Sequence, residues 1–231
     1  WPCAEKSLKL LNDISGNGHN ALTDGMTSNE LWANTQDVYH AGLTAGVRTT
    51  NGRRGYRFFN GSNQYFTESS HNTDFDIGNS PAWVVARIRN SGAAAYRGIF
   101  GTQEITNTPW RLYYHAGVSA YAWAVLTPSL NPKITYVART YSTGAFDYIF
   151  ACHDPSADLM KLSVNGGTYA STPNSEGVLV NTSKLMAGLG DGVTYYLGDI
   201  DLLAFGKTSI VPNWDEIRDT IYNSGSTFTY D

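Results

Sequence analysis

Short runs of β-branched and aromatic residues, separated by clusters of Gly, Asn, Ser and Thr, recur along this 231-residue chain. One such run, Leu159–Val164, is followed by Asn165-Gly166-Gly167. Gly and Asn accept positive φ, so this sequence predicts a tight turn between two strands. The composition agrees, since 13% of the residues are aromatic, 23 are Gly and only 16% are charged. We therefore predict an all-β chain.

The candidate strands are residues 7–11, 56–59, 65–67, 82–89, 97–101, 110–115, 121–126, 134–140, 146–153, 159–164, 185–189 and 195–205. Both faces of the 82–89 run are mostly apolar, which is typical of a central strand. Near the end, Asn213 or Asp215 precedes apolar residues at helical spacing, which predicts one short C-terminal helix over a sheet. No linker-like segment divides the chain, so we expect a single domain, 1–231, with a long insertion or rim loop at about 26–54.

The charge balance excludes two classes of partner. The formal net charge is −4, with 16 Lys and Arg against 20 Asp and Glu, and no basic run is present. We therefore expect no nucleic-acid partner and no binding to anionic membranes. No apolar run reaches the roughly 18 residues that cross a bilayer, so we expect no membrane span. The chain opens with Trp1-Pro2-Cys3, which we interpret as a mature or excised form.

The chain has two cysteines, Cys3 and Cys152, far apart in sequence and outside any metal-binding or redox spacing. They are either one disulfide or two buried free thiols. The sequence leaves both alternatives open.

Five segments together resemble one family. NDISGNGHN at 12–20 resembles the D-x-S-G-N-G-N signature of laminin-G-like, concanavalin A-like jelly rolls. Residues 59–66 resemble the family's F-x-G-x-x-x-Y-V strand, and residues 75–85 resemble its F-T-I-x-x-W-V strand. Residues 159–167 resemble its paired strands that end in V-N-G, and residues 198–205 resemble its closing G-x-I-D-E-V-x-I-Y strand. The resemblance implies a two-sheet antiparallel β-sandwich, the concanavalin A-like jelly roll, over nearly the whole chain.

This sequence departs from the family pattern at three places. Leu202 stands where the family often has Glu, Cys152-His153 replaces the usual strand ending, and the insertion at 26–54 matches nothing in the family. The fold carries lectins, glycanases, adhesion domains and viral surface proteins, so the site must decide the function.

Glycoside hydrolysis needs two carboxylates across the bound sugar. Asp199 and Asp201 lie on one face of a strand, about 7 Å apart, but the third acid of the jelly-roll glucanase series is replaced by Ala204. We therefore predict no enzymatic activity. A glycoside hydrolase or polysaccharide lyase ranks third, after the two non-catalytic functions given below. For Asp201 we prefer a structural role, in which its carboxylate holds a loop or caps backbone amides. The alternative is that Asp13 and Asp201 bind Ca²⁺, which prefers oxygen ligands.

Sugar sites combine an exposed aromatic ring with planar hydrogen-bonding groups. Residues 110–126 form the hairpin richest in aromatic residues, and the more apolar face of its first strand carries Trp110, Leu112 and Tyr114. Because that face suits the core, we predict that Arg111, Tyr113 and His115 face outward as a binding patch. The alternative is that the aromatic residues of this hairpin fill the core and Arg111 is a surface charge.

A second candidate site is the insertion, which contains Trp32 and Tyr39, because rim loops of sandwiches often bind ligands. The alternative is a subunit interface, in a homo-oligomer or with neighbours in a viral assembly. We predict a secreted or surface-displayed, lectin-like or adhesion domain that binds a glycan without transforming it. The runner-up is a phage or viral surface protein, for decoration or host attachment, displayed on the virion.

Overall fold

A computed structural model of the chain describes residues 10–11, 21–24, 47–48, 54–55, 57–62, 64–67, 71–103, 107–141, 143–190 and 194–224. Its strands are β1 (Leu10–Leu11), β2 (Ala21–Asp24), β3 (Val47–Arg48), β4 (Arg54–Gly55), β5 (Arg57–Asn60), β6 (Tyr65–Thr67), β7 (Ala82–Asn90), β8 (Arg97–Gln103), β9 (Trp110–His115), β10 (Ala120–Leu126), β11 (Pro132–Ala138), β12 (Asp147–Asp154), β13 (Leu159–Val164), β14 (Ala170–Pro173), β15 (Lys184–Ala187), β16 (Leu189–Gly190), β17 (Thr194–Tyr195) and β18 (Leu197–Lys207). One α-helix, α1 (Trp214–Ser224), follows them, and Thr73–Phe75 and Ala116–Val118 form short 3-10 turns.

Two antiparallel sheets hold most of these strands. An eight-stranded sheet has the order β1-β2-β6-β15-β8-β9-β10-β11, and a six-stranded sheet has the order β14-β13-β12-β7-β18-β5. The remaining strands form the two small pairs β3-β4 and β16-β17. The predicted all-β sandwich with one short C-terminal helix is therefore confirmed.

The core lies between the two sheets and follows the alternation of side chains along each strand. Strand β7 lies between β12 and β18, as its apolar sequence predicts, and directs Val84, Ala86 and Ile88 into the core. Its opposite face is also buried, since Val85 has no exposed surface. Burial on both faces explains why this run shows no polar alternation.

Helix α1 covers the outer face of the six-stranded sheet. Asn213 caps its first turn, because the Asn213 side-chain oxygen accepts a hydrogen bond from the Glu216 backbone amide at 3.3 Å. Trp214 then packs into an apolar cluster with Val85, Tyr148, Phe150 and Cys152. The aromatic residues of this face are therefore used in internal contacts.

Local turn geometry accounts for several strand ends. Asn165 and Gly166 have φ of 54° and 71°, as expected for the turn predicted after β13. The Thr127 backbone amide donates to the Asn131 carbonyl at 3.1 Å, so the preceding turn closes there and β11 begins at Pro132, two residues earlier than predicted. The predicted 185–189 strand divides at Gly188, where φ is +81°.

Buried polar side chains connect the two sheets at one end of the sandwich. Asp147 of β12, only 1% exposed, accepts hydrogen bonds from the Tyr121 hydroxyl at 2.8 Å and from Asn165 Nδ2 at 2.9 Å. Arg139 donates to the same carboxylate from Nε at 2.9 Å and Nη2 at 2.6 Å. Asn90 Nδ2 donates to the Tyr121 hydroxyl at 2.7 Å. We call these five residues the polar cross-link.

Cys152 is a buried free thiol, and Cys3 lies outside the described residues. Burial raises the pKa of the Cys152 thiol well above its usual range. Among the described residues, α1 is too short and too polar to traverse a bilayer, and no other helix qualifies.

Candidate functional site

Strand β9 places the predicted binding residues on the outer face of the eight-stranded sheet, away from the core. The side chains of Trp110, Leu112 and Tyr114 have no exposed surface and belong to the core cluster, joined to β10 through neighbours such as Trp123. Because side chains alternate along a strand, Arg111, Tyr113 and His115 lie on the opposite face. The sheet thus brings these three residues together in one row.

The neighbouring strands carry only small residues beside this row. The register partners of Arg111, Tyr113 and His115 on β10 are Ala124, Ala122 and Ala120. On β8 the partners of Tyr113 and Arg111 are Gly98 and Gly101. A Cβ atom at Gly101 would lie 2.6 Å from the Trp110 carbonyl oxygen and 2.8 Å from the Arg111 Cα, so this strand pair requires Gly there. The side chains of the row therefore meet only small residues on the strands directly beside them.

Four aromatic rings meet on this face, and with Arg111 they form what we call the aromatic cluster: Tyr96, Arg111, Tyr113, His115 and Tyr136. The ring centroid of His115 lies 4.4 Å from that of Tyr96, 5.6 Å from that of Tyr136 and 6.1 Å from that of Tyr113. The Arg111 guanidinium carbon lies 4.8 Å from the Tyr113 ring centroid, a cation–π arrangement. His115 is therefore the centre of the cluster.

Tyr113 supports the cluster from below and is not presented to solvent. Only 7% of its surface is exposed, and it packs against Ala122, Ala124 and Ile134. Burial and the hydrogen-bonded Tyr136 hydroxyl raise the pKa of Tyr113 well above its usual range, so its hydroxyl stays protonated. Tyr113 therefore lies on the outer face of the sheet, as expected from alternation, but is nearly buried there; its part in binding stays a prediction.

Tyr96 and Tyr136 supply the exposed rings, with 44% and 40% of their surface exposed. Between them, the Tyr96 hydroxyl and His115 Nε2 are hydrogen-bonded at 2.7 Å. His115 Nδ1 is buried and has no hydrogen-bond partner in the described part of the chain. The cluster therefore combines two exposed tyrosines, whose hydroxyl groups can exchange hydrogen bonds with a hydroxylated ligand, with a histidine whose nitrogens are already bonded or buried.

Sequence reasoning missed both exposed rings. A usable signal existed for Tyr136, because it is opposite Ala122 on β10, which is in turn opposite Tyr113 on β9. Tyr96 lies in the irregular segment between β7 and β8, where strand periodicity gives no information. Only the folded chain brings Tyr96 beside His115.

The structure does not describe the side chains of the other predicted site residues. Trp32, Tyr39 and Asp13 lie outside the described residues, and of Asp201 only the backbone, in β18, is described. Within the described ranges no group of three or more His, Cys, Asp or Glu side chains is arranged to hold a metal ion. The predicted insertion site and Ca²⁺ site remain predictions.

Asp199, the candidate partner of Asp201 in catalysis, is used in an ion pair. It is 3% exposed, and its Oδ2 lies 2.7 Å from Arg89 Nη2 and 2.8 Å from Arg89 Nε. A carboxylate that is buried and bonded to a guanidinium in this way is not presented to a substrate as a catalytic acid. The ion pair gives Asp199 a structural role, and the alternatives for Asp201 stay predictions.

No family model and no curated protein sequence matches the chain. Several solved structures are similar to it. The receptor-binding domain of botulinum neurotoxin C/D mosaic serotype is 12% identical, with a TM-score of 0.64 over 96% of this chain and 52% of that chain. The binding domain of botulinum neurotoxin DC, solved with rat synaptotagmin II, is 10% identical, with a TM-score of 0.62 over 97% of this chain and 52% of that one.

A third structure, of botulinum neurotoxin type C, whose uptake into cells depends on interaction with two ganglioside molecules, is 9% identical, with a TM-score of 0.60 over 96% of this chain and 52% of that chain. The chain therefore shares the β-sandwich fold of these proteins. It spans about half the length of each, and at this identity the likeness extends to the fold alone. The finer laminin-G resemblance stays a prediction.

Proposed function

We propose that this chain is a non-catalytic carbohydrate-binding domain that recognises a glycan through the aromatic cluster. The observation that carries the proposal is the pair of exposed rings, Tyr96 and Tyr136, on either side of His115. Sugars present apolar C–H faces that pack on aromatic rings, and hydroxyl groups that bond to planar polar side chains. The cluster offers both within one small area.

The comparisons support the proposal at the level of a fold that serves recognition. One similar structure concerns binding to gangliosides, which carry glycans, and another concerns binding to a protein, synaptotagmin II. The chain covers about half of each, so those ligands belong to the longer proteins. The ion pair between Asp199 and Arg89 supports a function without catalysis. We further propose that the domain acts outside the cell, secreted or displayed on a surface.

A glycan-array screen of the purified chain, followed by titration calorimetry on the best ligand, tests the proposal. Tyr136→Ala removes an exposed ring of the cluster, and we expect it to weaken binding about three- to tenfold. Tyr222→Ala is the matched control, because Tyr222 is 41% exposed but lies on α1, over the other sheet. Equal effects of the two substitutions would refute the assignment of the site.

The same preparation tests the remaining alternatives. We propose Asp13 and Asp201 as Ca²⁺ ligands, and loss of glycan binding under a chelator, reproduced by Asp13→Asn, is the expected result. Light scattering gives the mass of the particle. A defined oligomer that binds no glycan would overturn the carbohydrate-binding proposal in favour of an assembly protein, and release of cleaved glycan would overturn the non-catalytic one.

A further inference from the structure

The planes of the rings in the aromatic cluster restrict the physical form of its ligand. The His115 ring is inclined by 53° to that of Tyr96 and by 77° to that of Tyr136. Two rings that make different angles with a third cannot be parallel to each other. The exposed rings therefore present faces in different directions.

A crystalline polysaccharide presents a flat, rigid array of sugar rings. Binding to such a surface requires aromatic rings that lie in one plane, so that each packs on its own sugar unit at the same time. Tyr96 and Tyr136 do not meet this requirement, and Tyr113, whose ring is inclined by 39° to His115, is buried. A single chain in solution can turn from one ring face to the next, because its glycosidic bonds rotate.

The extent of the cluster limits the length of chain that it contacts. The Tyr96 and Tyr136 centroids lie 4.4 and 5.6 Å from that of His115, so these rings are no more than about 10 Å apart. A disaccharide or trisaccharide covers such a distance. The Tyr96 hydroxyl, which is hydrogen-bonded to His115 Nε2, belongs to one of these two rings, so hydroxyl groups of the same short chain would reach it.

We propose that the ligand is a short segment of a single soluble glycan chain, two or three sugar units long, and not the flat face of a crystalline polysaccharide. The inference rests on the proposed function and adds the physical class of the ligand. Tyr96 and Tyr136 each contact one sugar unit, and the Tyr96 hydroxyl, held by His115 Nε2, hydrogen-bonds to the chain. Affinity then rises with chain length up to the trisaccharide and is constant beyond it.

The test measures binding to soluble and solid probes in parallel. The soluble probes are mono- to hexasaccharides of the cello, chito and milk-oligosaccharide series together with the best array ligand, titrated by calorimetry; the solid probes are microcrystalline cellulose and crystalline chitin, in depletion assays. We expect binding to at least one soluble series with a plateau at the trisaccharide, and no depletion by the solids. Tyr96→Ala and Tyr136→Ala should each weaken soluble binding about three- to tenfold, with Tyr222→Ala as the unaffected control.

Failure of this inference is distinguishable from failure of the proposed function. Depletion by a crystalline solid that soluble chains do not compete away would overturn the inference and leave carbohydrate binding intact. Affinity that keeps rising to the hexasaccharide would also overturn it, because the contact would then exceed the cluster. Absence of binding to every soluble and solid probe would refute both.

Discussion

Replacement of Asp147 by Asn should destabilise the domain, because Asp147 is the acceptor on which the polar cross-link converges. The substitution keeps the size of the side chain but removes its charge and turns one acceptor oxygen into an NH₂ donor. That donor would face Arg139, Asn165 or Tyr121, which all donate to the carboxylate in the native chain. The Tyr121 hydroxyl would then lose the oxygen to which it donates, and the Arg139 guanidinium would lose its counter-charge.

The size of the effect follows from the burial of the two partners. Breaking a buried ion pair typically costs 3–5 kcal/mol, because the remaining charge is left uncompensated. Asp147 is 1% exposed, but 37% of the Arg139 side chain is exposed, so water can solvate the released guanidinium. We therefore expect Asp147→Asn to lower the free energy of unfolding by about 3 kcal/mol, the low end of that range. This is a large part of the roughly 5–15 kcal/mol that stabilises a typical domain.

Urea unfolding, monitored by tryptophan fluorescence, measures the lower stability as a lower urea concentration at the unfolding midpoint. Asp219→Asn is the control, since it also removes a carboxylate bonded to an arginine, Arg218 Nε at 2.7 Å, but on the exposed surface of α1. We expect its midpoint to be unchanged. A loss of less than about 1 kcal/mol in Asp147→Asn would refute the idea that the polar cross-link holds the sheets together.

Three further predictions concern single buried positions. Burial lowers the pKa of His153, so the folded state binds a proton there less readily than the unfolded state does. The free energy of unfolding should therefore fall as the pH drops below about 6.5. In thermal melts, His153→Asn should make this pH dependence weaker. Gly101→Ala should lower the free energy of unfolding by about 1–3 kcal/mol, because the added methyl group overpacks the strand pair. Gly144→Ala, which has open space around it, should leave the melting temperature unchanged in the same melts. In a Cys3→Ser variant, the buried Cys152 thiol should react with Ellman's reagent only after unfolding, and rapid reaction of the folded protein would contradict its burial.

Local sequence predicted those parts of the fold that are determined by neighbouring residues. The strands Trp110–His115 and Leu159–Val164 were predicted to the residue, because the first alternates clearly and the second ends in a Gly-containing turn. Strand Ala170–Pro173 was not predicted, since its sequence, Ala-Ser-Thr-Pro, has no large apolar residue and ends in Pro. It pairs with one neighbour only, β13, at the edge of the six-stranded sheet, where Pro is tolerated.

The candidate site was predicted in part, and the missing part depends on contacts between distant residues. The outward direction of Arg111 and His115 follows from alternation within β9 alone. The burial of Tyr113 depends partly on Ile134 of β11, which reaches it only when β9, β10 and β11 pair in register. Tyr96 approaches His115 from an irregular segment. Pairing register and loop position are tertiary properties that a single sequence does not encode in its local pattern.

The two sheets use their outward aromatic residues differently, and this difference supports the proposed position of the site. On the six-stranded sheet, Tyr148 and Phe150 lie in a cluster with Trp214 of α1, so their exposure to water is removed by packing. On the eight-stranded sheet, Tyr96 and Tyr136 remain 44% and 40% exposed next to a third aromatic ring, and the single described α-helix lies on the other sheet. Isolated exposed aromatic residues are common, but rings gathered around one histidine form a patch, and such patches mark binding sites. The exposed residues Tyr96 and Tyr136 are therefore where substitutions should change recognition with little change in stability.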